Sequence, residues 1–196
     1  MSYKIFLASN SPRRREILGM LRIPFSVLTL EGIDESYPEN LEADKVSEYI
    51  SNKKADEYLK RISDKDLIIT ADTVVICEGR ILGKPENKEE AVKMLQFLSG
   101  KTHKVTTGVT VATKEKRESF SSESYVKFAD LTEDEIRYYV DTFHPYDKAG
   151  AYGIQEWIGA VAVSKIDGSF YNVMGLPVHR LYQVLKRFNV FQYPHQ

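Results

Sequence analysis

The chain has 196 residues, 42% of them hydrophobic and 28% charged, enough to bury a sizeable core within one domain. A formal net charge of −1 argues against the basic surface of a general nucleic-acid binder. A single cysteine, Cys77, allows no disulfide within the chain and points to a reducing compartment, and no apolar run approaches the roughly 18 residues of a membrane span.

The N-terminal apolar run stops at Ser9, too short for a signal peptide, so a cytoplasmic protein without a membrane partner is expected. YKIFLA, up to Ala8, reads as a short strand. Ser9, Asn10 and Ser11 then lead into a helix that ends near Arg22. Ser11 is suited to the N-cap, since its hydroxyl can accept from a free backbone amide. Pro12 fits the first helical position, where its missing N–H costs nothing. Ile17, Leu18 and Leu21 supply an apolar face. FSVLTL, Phe25 to Leu30, reads as a second strand. GIDESYPEN is a loop rich in carboxylates, including Asp34 and Glu35. A long helix is expected from Leu41 to Lys60 with Val46, Ile50 and Leu59 inward.

DLIITADTVVIC, ending at Cys77, is the most strand-like run in the chain, and Cys77 reads as a small core residue within it. CEGR makes a turn and ILGKPEN leads out of it. Asn87 with Glu90 three residues on has the pattern of a capping box, opening a helix that carries Ala91, Met94, Leu95 and Leu98. THKVTTGVTVAT and ESFSSESYVKFA alternate as antiparallel strands do. Thr132 and Glu135 repeat the capping box before EDEIRYYVDT. HPYDKAGAYGIQ is a glycine-containing loop, and AVAVSKI-DG-SFYNV reads as a hairpin about its Asp-Gly pair. Pro177 starts a final helix ending near Phe188. No repeat or linker divides the chain, so residues 1–196 are expected to form a single α/β (α+β) domain with a mixed sheet.

Arg13, Arg14 and Arg15 place three cations at the positive pole of the first helix, each at a cost of roughly 0.3–1 kcal/mol. At about 100° per residue, Arg14 points with Ile17, Leu18 and Leu21, while Arg13 and Arg15 flank it. An inward arginine needs an anionic partner. Either a phosphate binds at this helix start, or Arg14 pairs with a carboxylate of the protein. Asp72 is a carboxylate inside an apolar strand. It is either a metal ligand or general base, or a strand-end cap. Lys54, Lys84 and Lys148 stand beside turns and individually read as solvated. Lys84 is constrained between Gly83 and Pro85, and Lys148 has Asp147 next to it. Asp34 and Glu35 read as solvated loop charges. His103 and His144 are expected in turns and His195 in the tail, with no zinc-ligand spacing among them. No phosphate-binding glycine-rich motif is present. Cations at a helix start, loop lysines and a strand carboxylate are the parts that phosphoryl chemistry requires.

LASNSPRRREIL, ADTVV, GKP, LSGKTHKVTTGV, DKAGAYGIQ and GSFYNVMGLP, in this order, resemble the signatures of the Maf family of nucleotide pyrophosphatases. The resemblance implies a cytoplasmic enzyme that requires a divalent metal, Mg²⁺ or Mn²⁺. It would cleave a nucleoside triphosphate to the monophosphate and pyrophosphate, in a house-cleaning role and with a link to septum formation. It implies an elongated mixed sheet flanked by helices around a central cleft, similar to the inosine triphosphate pyrophosphatases, and a homodimer. By position, Asp72 matches the family's proton acceptor, and Arg13, Thr73 and Gln155 match positions that set substrate choice. Ser9, Arg14, Glu35, Lys54 and Lys84 match polar positions of the cleft, with Asp72 and Glu35 as metal ligands. The SPRR, ADT and GIQ combination is similar to the branch acting on dTTP and UTP. A carboxamide at Gln155 can both accept from N3–H and donate to O4 of a uracil or thymine edge. Trp157 stands where the family has a shorter, glycine-rich stretch. The rival readings are a pyrophosphatase for 7-methyl-GTP or another modified nucleotide, and a non-enzymatic regulator of septum formation.

Overall fold

The computed structural model describes residues 3–191. Among these residues there are seven strands and seven α-helices. They are β1 (Lys4–Leu7), α1 (Pro12–Gly19), β2 (Ser26–Val27), α2 (Ala43–Leu59), β3 (Asp66–Cys77), β4 (Arg80–Leu82) and α3 (Lys88–Leu98). β5 (Thr102–Ala112), β6 (Arg117–Phe128), α4 (Glu133–Phe143), α5 (Trp157–Val161), β7 (Val163–Asp167), α6 (Phe170–Met174) and α7 (Val178–Arg187) follow. The strands form one mixed sheet in the order β2-β1-β3-β5-β6-β7, with β4 paired to β3. β1 runs parallel to β2 and β3, whereas β3–β4 and β6–β7 are antiparallel. The expected mixed α/β class is what the chain adopts.

The chain divides into two compact units. The first contains the chain up to Asp72, Thr107–Ser122 and the segment from Gly175 on. Its core gathers Ala8, Ala55, Tyr58, Ile62, Ile68 and Ala112, with Phe6, Leu28, Leu30, Ile33 and Leu59 packed around them. α2 lies directly on β5, since a Cβ at Gly108 would come within 2.3 Å of the backbone of Ser47 and Glu48. Only glycine lets helix and strand approach this closely.

The second unit contains Thr73–Thr106 and Glu123–Met174. Its β3–β4 hairpin closes through Glu78 and Gly79, both at positive φ (49° and 76°), the geometry of a type I′ turn. α3 packs against α4 and the short 3₁₀ turn Ala149–Ala151. Thr132 and Glu135 form the full capping box at the start of α4, and His144 ends that helix in a left-handed turn.

Four local expectations are corrected. FSVLTL contributes only the two residues of β2, with the rest of the run supplying Leu28 and Leu30 to the core. The Asp-Gly pair does turn the chain, with Gly168 at φ 128°, but SFYNV enters α6 instead of a second hairpin strand. The buried Asn172 explains this, because a helical turn lets its Nδ2 donate to the Val105 carbonyl at 3.1 Å and to Ser124 Oγ at 3.0 Å. The Asn87 box is only half formed: Asn87 Oδ1 accepts from Glu90 N at 2.9 Å, but the Glu90 carboxylate takes the Glu86 amide. His103 is buried inside β5, not in a turn. His195 lies outside the described residues. α1 ends at Gly19, although turn bonds from Leu21 to Leu18 and from Arg22 to Gly19 carry the coil on to Arg22.

Candidate active site

α1 begins as the sequence dictates. Ser11 is the N-cap, its Oγ accepting from Arg14 N at 3.4 Å, and Pro12 follows it. Ile17 and Leu18 are buried, and this direction carries Arg14 inward. Arg14 Nε donates to the Gly175 carbonyl at 2.8 Å and Nη1 to the Ala71 carbonyl at 2.9 Å, with Ser9 Oγ 3.5 Å away. Arg14 therefore ties the loop before α1, strand β3 and the start of the C-terminal segment around one guanidinium. Burial pulls its pKa down; the charges of Asp72 and Glu35 raise it and that of Arg13 lowers it. Arg13 is half-buried beside it, and Arg15 is exposed.

Asp72 is brought to Lys54 by a register that begins elsewhere. Ser51 is buried, its Oγ 2.9 Å from Thr110 Oγ1 on β5, and its carbonyl accepts from Thr70 Oγ1 of β3 at 2.7 Å. Lys54 is three residues beyond Ser51, on the same helix face, and Asp72 is two residues beyond Thr70, on the same strand face. The two side chains therefore meet, Lys54 Nζ donating to Asp72 Oδ1 at 2.9 Å. Lys54 also pairs with Glu35 Oε1 at 2.9 Å. Lys54 is not the solvated charge that its spacing suggests, whereas Glu35 remains an exposed loop carboxylate that pairs with it. Lys53 takes the other loop carboxylate, Asp34, at 2.6 Å, and with the Ser36 hydrogen bonds it holds Asp34 well below the usual carboxylate range. Within the first unit, Lys54 joins Asp72 to Glu35, and Arg14, held to Ser9 and to the Ala71 carbonyl, feels the charges of both carboxylates.

Thr73, Lys84 and Gln155 belong to the second unit. Thr73 is half-buried, and Lys84 and Gln155 are exposed. The segments carrying the last two are tied together, since Gly150 N donates to the Gly83 carbonyl at 3.0 Å. Lys148 is buried, with 8% of its surface exposed, and contacts Asp147 Oδ1 at 2.7 Å and Glu156 Oε1 at 3.1 Å. The Asp147 pairing was legible in the sequence, but the Glu156 pairing was not. Tyr139, which donates to Glu156, was also missed. Its signal was present, because Ile136, Tyr139 and Val140 share the inward face of α4 and a buried tyrosine hydroxyl needs a partner.

Among the described residues no group of three or more His, Cys, Asp or Glu is placed to hold a metal, and no helix is long and apolar enough to cross a membrane. The model of the Maf-like protein family matches residues 4–188. A dTTP/UTP pyrophosphatase of Bacteroides thetaiotaomicron is 54% identical over 185 residues, which is 94% of this chain and 96% of that one. Proteins of the same name from Parabacteroides distasonis and Porphyromonas gingivalis are 54% and 52% identical, each covering 95% of this chain and 96% and 94% of their own. Among solved structures, a HAM1 protein from Coxiella burnetii is similar over 94% of this chain and 99% of its own, at 14% identity and a TM-score of 0.48. With nearly the whole chain matched by the family model, and half of its residues identical to those of such relatives, this protein belongs to the Maf family.

Proposed function

We propose that this chain is a nucleoside triphosphate pyrophosphatase that converts dTTP and UTP to the monophosphate and pyrophosphate, with the whole chain as its functional domain. The observation that carries the reading is the largely buried carboxylate Asp72, held by Lys54 next to the Arg14 cluster at a helix start. The names of relatives at 54% identity support the substrate class. Arg13, Arg14, Lys54 and Lys84 bind the phosphate oxygens, aided by the free amides at the start of α1. Asp72 accepts a proton from water as the water oxygen attacks the α-phosphorus. The bond from that phosphorus to the bridging oxygen breaks, and pyrophosphate leaves with its charge covered by the cations.

Two carboxylates, Asp72 and Glu35, gather about one ammonium group, each 2.9 Å from Lys54 Nζ. This is a hard-oxygen donor pair suited to Mg²⁺ or Mn²⁺, whose other ligands are characteristically water and phosphate oxygens. Such an ion supplies charge neutralisation at the phosphates when bound. Arg13, Thr73 and Gln155 select the base; the Gln155 carboxamide accepts from N3–H and donates to O4 of a pyrimidine.

The test is a panel of nucleoside triphosphates with Mg²⁺ or Mn²⁺ and a pyrophosphate readout. UTP and dTTP are the expected best substrates. Asp72→Asn should lower turnover by about 10²–10⁴-fold while the far-UV circular dichroism stays that of the parent. Full activity in that variant overturns the assignment of Asp72.

A further inference from the structure

The second unit contains a charged cluster that the proposed reaction leaves unused, wrapped around the residue proposed to read the base. Gln155 itself is exposed, yet the residues on both sides of it are held by a single hydroxyl. Tyr139 OH accepts from the Gly153 amide at 3.0 Å and donates to Glu156 Oε2. The other Glu156 oxygen takes the buried Lys148 ammonium at 3.1 Å, and Asp147 holds that ammonium from its other side at 2.7 Å. The backbone closes the same turn, Glu156 N donating to the Gly153 carbonyl at 3.0 Å. One residue on, Trp157 meets Tyr138 edge to face, with ring centroids 5.1 Å apart. Neighbouring tyrosines of α4 thus grip neighbouring residues of the segment that follows Gln155.

Gly153 supplies the space for this arrangement. A Cβ there would lie 2.8 Å from Glu156 Cδ and 3.0 Å from Gln155 Nε2, so both side chains fold back over the glycine. A carboxamide discriminates between bases only when its oxygen and nitrogen are presented in a fixed orientation. A free glutamine side chain must give up rotamer entropy to do that on every binding event.

We propose that Glu156 is a positioning residue: braced by Tyr139 and Lys148, it orients Gln155 for recognition of the pyrimidine edge. This rests on the reading of Gln155 as a base-selecting residue of a dTTP/UTP pyrophosphatase. The cluster acts through Gln155 and touches no phosphate, so its loss changes which base is preferred more than it changes the chemistry.

The experiment compares kcat/KM for UTP, dTTP, ATP and GTP in the parent, Glu156→Ala, Glu156→Gln, Tyr139→Phe and Gly153→Ala. Tyr139→Phe keeps the buried ring and removes only the hydroxyl, so it serves where Glu156→Ala does not fold. The preference for UTP and dTTP over the purine nucleotides should fall between about tenfold and about a hundredfold in Glu156→Ala, Tyr139→Phe and Gly153→Ala. Glu156→Gln keeps an acceptor for Tyr139 and should recover part of it. A purely structural role would lower all four substrates by one factor and leave the ratio unchanged, which overturns the proposal. Absence of UTP and dTTP hydrolysis in the parent instead refutes the pyrophosphatase reading. In that case acrylamide quenching of Trp157, the chain's single tryptophan, still decides whether the clamp exists. Quenching should rise in Glu156→Ala and Tyr139→Phe, and equal quenching in parent and variants overturns the clamp.

Discussion

His103 lies on β5 with 1% of its surface exposed, its ring edge-on to Phe128 and Tyr152. Nε2 is 2.7 Å from the Tyr152 hydroxyl, and Nδ1 has no hydrogen-bond partner among the described residues. Burial lowers the pKa of this histidine from 6.5 to about 4, because the imidazolium would lose its hydration without gaining an anion. The unfolded chain therefore takes up a proton below pH 6.5 that the folded chain refuses until about pH 4. Stability from this group is complete above pH 6.5 and is lost as the pH falls toward 4. The linkage relation gives about 2 kcal/mol lost at pH 5 and about 3 kcal/mol at pH 4, relative to pH 8. Urea titrations at pH 8, 6 and 5 on the parent and His103→Gln measure it. The parent should lose about 2 kcal/mol more than the variant between pH 8 and pH 5. Parallel losses in the two proteins would refute the argument.

Arg14→Ala should destabilise the fold by about 1–3 kcal/mol by removing the donor from the Gly175 and Ala71 carbonyls, and should also weaken nucleotide binding. Arg15→Ala, at an exposed position, should stay within about 0.5 kcal/mol of the parent and be the mildest of the three arginine variants; thermal melts and KM compare them. Gly108→Ala should cost about 3 kcal/mol in chemical denaturation, because its Cβ would meet helix backbone at 2.3 Å, and backbone cannot move aside as a flexible side chain can.

The elements that could be read from the sequence are those whose own residues decide them. β3 coincides with its apolar run from Asp66 to Cys77, and α4 with its capping box, because both signals are local. The segment after Gly168 misled because Phe, Tyr and Val favour strands, whereas the decisive interaction is that of Asn172 with Val105 and Ser124, far away in the chain. The inward direction of Arg14 followed from helical angles alone. Its partners did not, since Gly175 lies 161 residues away. The pairing of Lys54 with Asp72 was hidden for the same reason: it depends on how α2 is registered on β3 and β5, through Ser51, Thr70 and Thr110. The cluster about Glu156 needed the packing of α4 on the loop after Lys148, which no periodicity reports.

The bond from Arg14 to the Gly175 carbonyl also orders events during synthesis. A ribosome makes the chain from its N-terminus, so Arg14 emerges long before the carbonyl that receives its Nε hydrogen. The guanidinium has both the Ala71 and the Gly175 carbonyl to donate to only once Gly175, 161 residues further on, has been made. The unit that contains Asp72 and Lys54 likewise waits for its last segment, from Gly175 on. A nascent chain stalled before that residue already carries Asp72 and Lys54 but lacks the carbonyl that fixes the arginine beside them, so this unit is braced only after Gly175 has been translated.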